Sequence, residues 1–415
     1  MTEKFTLSNG LTVLVEPMPY LHSASIGVWV KAGSMLESPT ENGLSHFMEH
    51  MAFKGTHKRT ARQIAEEMDA VGGMLNAATS KLCTNYYAKV LDADLPLAAD
   101  ILADIVCSPS LSQQEMDKER GVVLEEIAMV EDSPEDVVFD LLAEAVFGSQ
   151  SLGQTILGPA EKISAYQPKD LITFRKRHYS PKNAVIAIAG NVTVPQAQTL
   201  LEEKFGAWRG EAGEEFPKTT AVDEERKLSR NKDTEQVHLC LSYRSSEMGS
   251  PMVYPLAVLN TVLGGGMSSR LFQRIREELG LAYSVYTGPS NYPSCGEFTV
   301  YAATSPQSVQ LLLEQIDLEI KKLLRDGIRE QEFTQAKAQL KSSFVLGQES
   351  SYNRMNSLGT NQILLGRVIP LEETLSRIDR VDRECVMECA AELLNGPRSY
   401  AVVGRKAEKY IQYMR

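Results

Sequence analysis

Two histidines and a glutamate within five residues, His46-Phe-Met-Glu49-His50, are the side chains here best suited to chemistry. Residues four apart on a helix lie one turn above each other on one face, so both imidazoles can close on a single metal ion, with zinc the expected one. Glu49 is three residues from His46 and shares that face. A carboxylate beside two imidazole ligands, and not itself needed as a ligand, is placed to take a proton from a water held by the metal. Two imidazoles do not complete a catalytic zinc site, which usually has three protein ligands and one open position.

The third ligand is sought in Ser112-Gln-Gln-Glu115-Met-Asp-Lys-Glu119-Arg-Gly-Val-Val-Leu-Glu125-Glu126-Ile, a stretch that opens with a capping box and reads as a helix. Glu119 and Glu126 are seven apart and nearly eclipse at ~100° per residue, whereas Glu125 points about a third of a turn away. A rise of ~1.5 Å per residue separates Glu119 from Glu126 by about 10 Å, too far for both to be comparable ligands of one ion. One should bind and the other support it, and the spacing leaves open which. Without the histidines, this helix would read as a solvated acidic face.

The elements that position these groups are marked by their ends. Ser38 as N-cap, Pro39 at the first helical position and Glu41 completing a Ser-x-x-Glu box predict that the histidine helix starts at Pro39. It should run to Phe53 and stop near Lys54-Gly55. Long amphipathic helices are expected over 94–107, 113–131 and 306–325, with strands at 24–31, 184–190, 237–243 and 400–404, so helices should pack on one face of largely antiparallel sheets. The fold class is α+β.

The chain reads as built twice. Pro39 and Pro251, each after a serine, are 212 residues apart, and the closing strands ending at Gly190 and Gly404 are 214 apart. Agreement at both ends predicts a tandem duplication. The polar, glycine-rich and charged stretch 209–234 reads as a linker, giving a zinc-binding half over 1–215, a linker over 216–232 and a second half over 233–415. In the second copy Val258, Thr261 and Val262 stand 212 residues beyond His46, Glu49 and His50, so that copy holds no metal and there is one site, and one zinc, per chain.

Hydrophobic residues at 43% and charged residues at 23% are those of an ordinary globular protein. A net charge of −11 argues against a nucleic-acid partner. No apolar run is long enough to span a membrane, and the first residues lack a signal-peptide layout, so a bacterial cytoplasm is expected, with a mitochondrial matrix as the alternative. Cys83, Cys107, Cys240, Cys295, Cys385 and Cys389 are read as reduced packing residues.

With these residues in view, the sequence resembles the pitrilysin and mitochondrial processing peptidase family, whose inverted His-x-x-Glu-His motif is followed about 76 residues later by a glutamate ligand. His50 plus 76 is Glu126, and the family's second glutamate, seven before the ligand, matches Glu119. The surroundings Gly43-Leu-Ser-His-Phe-Met-Glu-His-Met-Ala-Phe-Lys-Gly-Thr56 are similar too, and the likeness extends over essentially the whole chain. It implies His46, His50 and Glu126 as zinc ligands, Glu49 as base with Glu119 assisting, and two halves enclosing a chamber. It further implies an edge strand receiving substrate backbone, matched by Asn76-Ala77-Ala78-Thr79, although Ala78 stands where an aromatic residue is frequent. From the second half it implies an arginine and a tyrosine that clamp substrate and steady the oxyanion, matched by Arg276 and Tyr283, with Arg274 a rival for the arginine. The expected function is a zinc endopeptidase acting on peptides. The alternatives are a dedicated maturation protease for one leader or modified peptide, or a non-catalytic peptide-binding or assembly subunit. A peptide substrate is the expected partner, and a homodimer stays open as an assembly.

Overall fold

The computed structural model describes residues 2–211, 213–222 and 224–414. β-Branched and small apolar residues are concentrated in the inner strands of its two sheets. Among the described residues the first has six strands in the order β1-β2-β6-β3-β5-β4, namely β1 Glu3–Thr6, β2 Thr12–Pro17, β3 Ser23–Val30, β4 Met74–Thr79, β5 Thr84–Leu91 and β6 Ala184–Gly190. Its pairs are antiparallel except β2 with β6, and β4 lies at one edge, where among the described residues it pairs with β5 alone. The second sheet has the order β7-β11-β8-β10-β9, from β7 Lys227–Asn231, β8 Val237–Ser245, β9 Ala282–Tyr292, β10 Cys295–Thr304 and β11 Arg398–Gly404. Strand for strand this repeats β2-β6-β3-β5-β4, including the single parallel pair, here β7 with β11. The two halves are duplicates in topology, and β1 is the addition to the first.

The expectation that helices cover one sheet face is corrected. β3 and β6 are buried along almost their whole length, which requires cover on both faces. On one face Val13, Val15, Ile26 and Val28 join Phe47, Met48, Ile101 and Ile105 in the main core. On the other, Leu14, Trp29, Val185, Ala187 and Ala189 pack beneath Met355 and Leu358 of helix Ser351–Leu365. Gly359 marks the closest approach, because a Cβ there would come within 2.2 Å of the Trp29 ring.

That covering helix belongs by sequence to the second half. Reciprocally, helix Pro134–Phe147, from the first half, packs on β8 and β11. Its Phe139 stacks on Tyr301, 5.5 Å between ring centres. The compact units are therefore discontinuous: residues 1–127, 155–217 and 346–369 form one, and 128–154, 218–345 and 370–415 the other. No described helix is long and apolar enough to cross a membrane, and all six cysteines are free.

Candidate active site

The histidine helix spans Leu44–Ala52, five residues later than its capping signals predict. Ser38 and Glu41 do bond, with the Glu41 carboxylate accepting from the Ser38 amide at 3.2 Å and hydroxyl at 2.7 Å, but they close a turn and not a helix. The reason lies at Gly43, which sits in the left-handed region at φ 99° against the chain at 157–158; a Cβ there would meet the Leu157 carbonyl oxygen at 2.6 Å. A helix cannot run through that residue, and its free amides need another acceptor.

Glu37 is that acceptor. It is 3% exposed, and its carboxylate takes the Gly43 amide at 2.8 Å, the Ser45 amide at 2.6 Å and the Asn42 side-chain amide at 3.1 Å. Burial raises its pKa, and the bonds from Ser45, Gly43 and Asn42 offset part of that rise. Sequence reasoning missed Glu37 because it caps the helix across a turn from outside the usual capping positions; its one signal was a lone acid in an otherwise apolar and small-residue run.

One turn apart on this helix, His46 and His50 stack edge to face, 4.6 Å between ring centres. Their Nε2 atoms lie 3.6 and 3.2 Å from one oxygen of Glu126 on helix Gln113–Asp132. The three donor atoms fall within 4.8 Å of one another. Tetrahedral zinc with ligands at ~2.0–2.1 Å holds neighbouring donors about 3.3 Å apart, so this set fits zinc. Glu125, one residue earlier, is exposed and outside the group.

Glu119 stands behind His50. One oxygen meets Nδ1 at 2.7 Å and the other meets Lys54 Nζ at 2.7 Å, in a position only 4% exposed. Burial alone would raise the Glu119 pKa, but the His50 and Lys54 bonds outweigh it and hold the group below the usual carboxylate range. An ionised acceptor on Nδ1 fixes the proton there and turns the Nε2 lone pair toward Glu126. Burial would lower the His50 pKa, yet the bond to Glu119 and the charges of Glu126 and Glu49 raise it. His46 is pushed down to about 4 by burial and by His50, so it is neutral and ligand-ready.

Glu49 lies beside the donors and accepts a hydrogen bond from the Thr79 hydroxyl at the end of β4. Burial raises its pKa, partly offset by that bond. Of the residues matched to substrate backbone, Asn76 is exposed and its side-chain oxygen takes the Ala77 amide at 2.8 Å. Ala77 is half-buried on the same edge strand. Thr79 therefore touches Glu49, which its sequence match does not anticipate.

In the second unit Arg276 and Tyr283 come together. The Arg276 guanidinium lies 4.3 Å from the Tyr283 ring centre and 4.8 Å from that of Phe272, and Tyr283 is 73% exposed. Arg276 rides on a π-helical segment, Phe272–Glu278, a form of helix frequent at functional sites. Arg274 on the same segment is bonded to Gln315 at 3.0 Å and Glu278 at 2.7 Å.

Two helix-borne imidazoles, a carboxylate from a second helix and a neighbouring glutamate, on a duplicated α+β scaffold, define the class: a protein with a donor set able to hold one metal ion beside a free carboxylate. Comparison with known proteins makes the class specific. Residues 12–160 match the family described as insulinase (peptidase family M16), and residues 165–340 match the peptidase M16 inactive domain. An uncharacterized zinc protease of Bacillus subtilis is 41% identical over 407 residues, covering 97% of this chain and 98% of its own. One from Mycobacterium leprae is 42% identical over 408 residues, covering 97% and 92%. A protease from Helicobacter pylori has a similar fold, with a TM-score of 0.92 and 23% identity over 97% of this chain and 99% of that one. The chain belongs to the M16, or pitrilysin, family of zinc peptidases.

Proposed function

We propose that the protein is a zinc endopeptidase that cuts peptides or unfolded segments, with His46, His50 and Glu126 holding one zinc and Glu49 acting as general base. The observation that carries this reading is the convergence of three donor atoms within 4.8 Å beside a half-buried carboxylate that is not one of them. Zinc, when bound, would polarise the scissile carbonyl and acidify a water. Glu49 is placed to accept a proton from an attacking water and to return it to the leaving amine. Glu119 keeps the His50 ring oriented through Nδ1. The free edge of β4 offers main-chain donors and acceptors to an extended peptide, which suits sequence-tolerant binding. Arg276 and Tyr283, contributed by the second half of the sequence, are assigned to clamping substrate and steadying the oxyanion, in the enclosed chamber that the family likeness implies. The intact donor set weighs against a non-catalytic subunit. The bacterial relatives support a bacterial source over a mitochondrial one, and the compartment proposed is the cytoplasm.

Glu49→Gln tests the reading. It should keep zinc and bind peptide, yet cleave ~10²–10⁴-fold more slowly, because the amide accepts no proton. A variant cutting at the wild-type rate sinks the mechanism.

A further inference from the structure

The family likeness matches Thr79 to substrate contact, and the structure gives its side chain a different task. We propose that Thr79 is a positioning residue for Glu49, so that the strand offered to the peptide also fixes the base that acts on it. This rests on the reading of Glu49 as general base.

The donor count supports the assignment. Among the described residues, the hydrogen bond to the Glu49 carboxylate comes from the Thr79 hydroxyl. A threonine hydroxyl has one proton to give. The other hydroxyl nearby, Thr84 at 3.3 Å, sends its own proton to the Ala32 carbonyl at 2.7 Å, fully buried. Thr84 lies directly opposite Thr79 in the β4–β5 ladder, so the two hydroxyls stand on the same side of the sheet. The Thr79 proton is thus available to Glu49, and a hydrogen bond to an ionised acceptor is about twice as strong as a neutral one. Glu49 has three side-chain torsions to restrain, and its own helix supplies no bond to its carboxylate.

The geometry ties two functions to one strand. β4 has one partner strand, and its last residue holds the base. A peptide pairing along β4 would then meet a base set in register with it, and a shift of β4 would displace both together. A threonine that only held substrate would act in the ground state; one that holds the base acts on turnover.

The test uses the full chain, zinc-loaded, with a quenched-fluorescent peptide that the wild-type protein cuts. Thr79→Val preserves shape and backbone and removes the hydroxyl. It should retain zinc, lower kcat about 10- to 100-fold and leave KM within about twofold, the loss expected for one hydrogen bond to a charged group. Thr79→Ser should recover most of the rate. A second readout needs no turnover: in crystals of metal-free Thr79→Val the Glu49 carboxylate should leave its position against β4. An unchanged kcat, a raised KM with normal kcat, a serine variant no better than valine, or an unmoved Glu49 would each overturn the proposal. Should the valine variant fail to fold, Thr79→Ala against Thr79→Ser makes the same comparison. Normal cleavage by Glu49→Gln would remove the underlying mechanism, whereas an inactive Glu49→Gln beside a normal Thr79→Val would remove this proposal alone.

Discussion

Helix Leu44–Ala52 and its counterpart Val253–Leu263 follow equivalent strands, β3 and β8, in two sheets of the same order, and one carries the zinc motif while the other carries none. Where the first presents His46, Glu49 and His50, the second has Val258 and Val262, both buried, and Thr261, whose hydroxyl bonds back to the Ala257 carbonyl at 2.9 Å. The same scaffold therefore supports either hydrocarbon packing or a polar site. What differs is the set of partners from outside the helix. Glu37 caps the first helix, Glu119 bonds one imidazole, Thr79 bonds Glu49 and Glu126 lies with the two imidazoles. The second helix has no side-chain cap. On the proposed reading, metal chemistry on this fold draws on several remote carboxylates and a hydroxyl together with the histidine motif.

The comparison would be broken most severely by separating the copies. A chain ending near residue 220 loses helix Ser351–Leu365, and with it the cover over Trp29, Val185 and Ala187. It also keeps Pro134–Phe147 without the strands on which that helix packs. Such a chain should fail to fold cooperatively, as read by calorimetry and near-UV circular dichroism. A sharp unfolding transition would show the halves to be independent.

Next in size is the metal. Glu126→Gln should lose most of its zinc by elemental analysis, while Glu125→Gln keeps about one per chain. Equal retention in both would break the assignment of ligand and neighbour. Turnover without metal binding distinguishes the second half's contribution. Tyr283→Phe should lower kcat by ~10²-fold with little change in KM, as for loss of one oxyanion donor. Arg276→Ala should raise KM as well, and Arg274→Ala should do neither, because Arg274 is engaged by Gln315 and Glu278. An inactive Arg274→Ala beside a normal Arg276→Ala would reverse the choice of arginine.

The smallest effect is expected at Glu37. Replacement by Ala leaves two amide groups at the start of the histidine helix without their acceptor, at a cost of ~1–3 kcal/mol of stability. Glu37→Gln, which keeps an acceptor oxygen, should cost less. Chemical denaturation measures both, and a stability unchanged in Glu37→Ala would mean the helix is capped by other means.

Sequence by itself determined the features set by local periodicity and by strand order. His46, Glu49 and His50 share a face because a helix repeats every 3.6 residues, and that holds wherever the helix starts. β6 spans Ala184–Gly190 just as its apolar run predicts, and helix Gln113–Asp132 exceeds its expected end by one residue. The choice of Glu126 over Glu119 came from a family spacing, since helix geometry alone allowed either. Tertiary structure decided the rest, because each remaining feature depends on a contact between distant segments. An amphipathic pattern says that a helix buries one face, but not on which sheet, so the exchange of Pro134–Phe147 and Ser351–Leu365 was invisible. Capping signals could not foresee that Gly43 would be pressed against 157–158 and shift the helix start to Leu44. A lone Glu37 and a strand-end Thr79 acquire their roles only when folding brings an amide pair to one and the Glu49 carboxylate to the other.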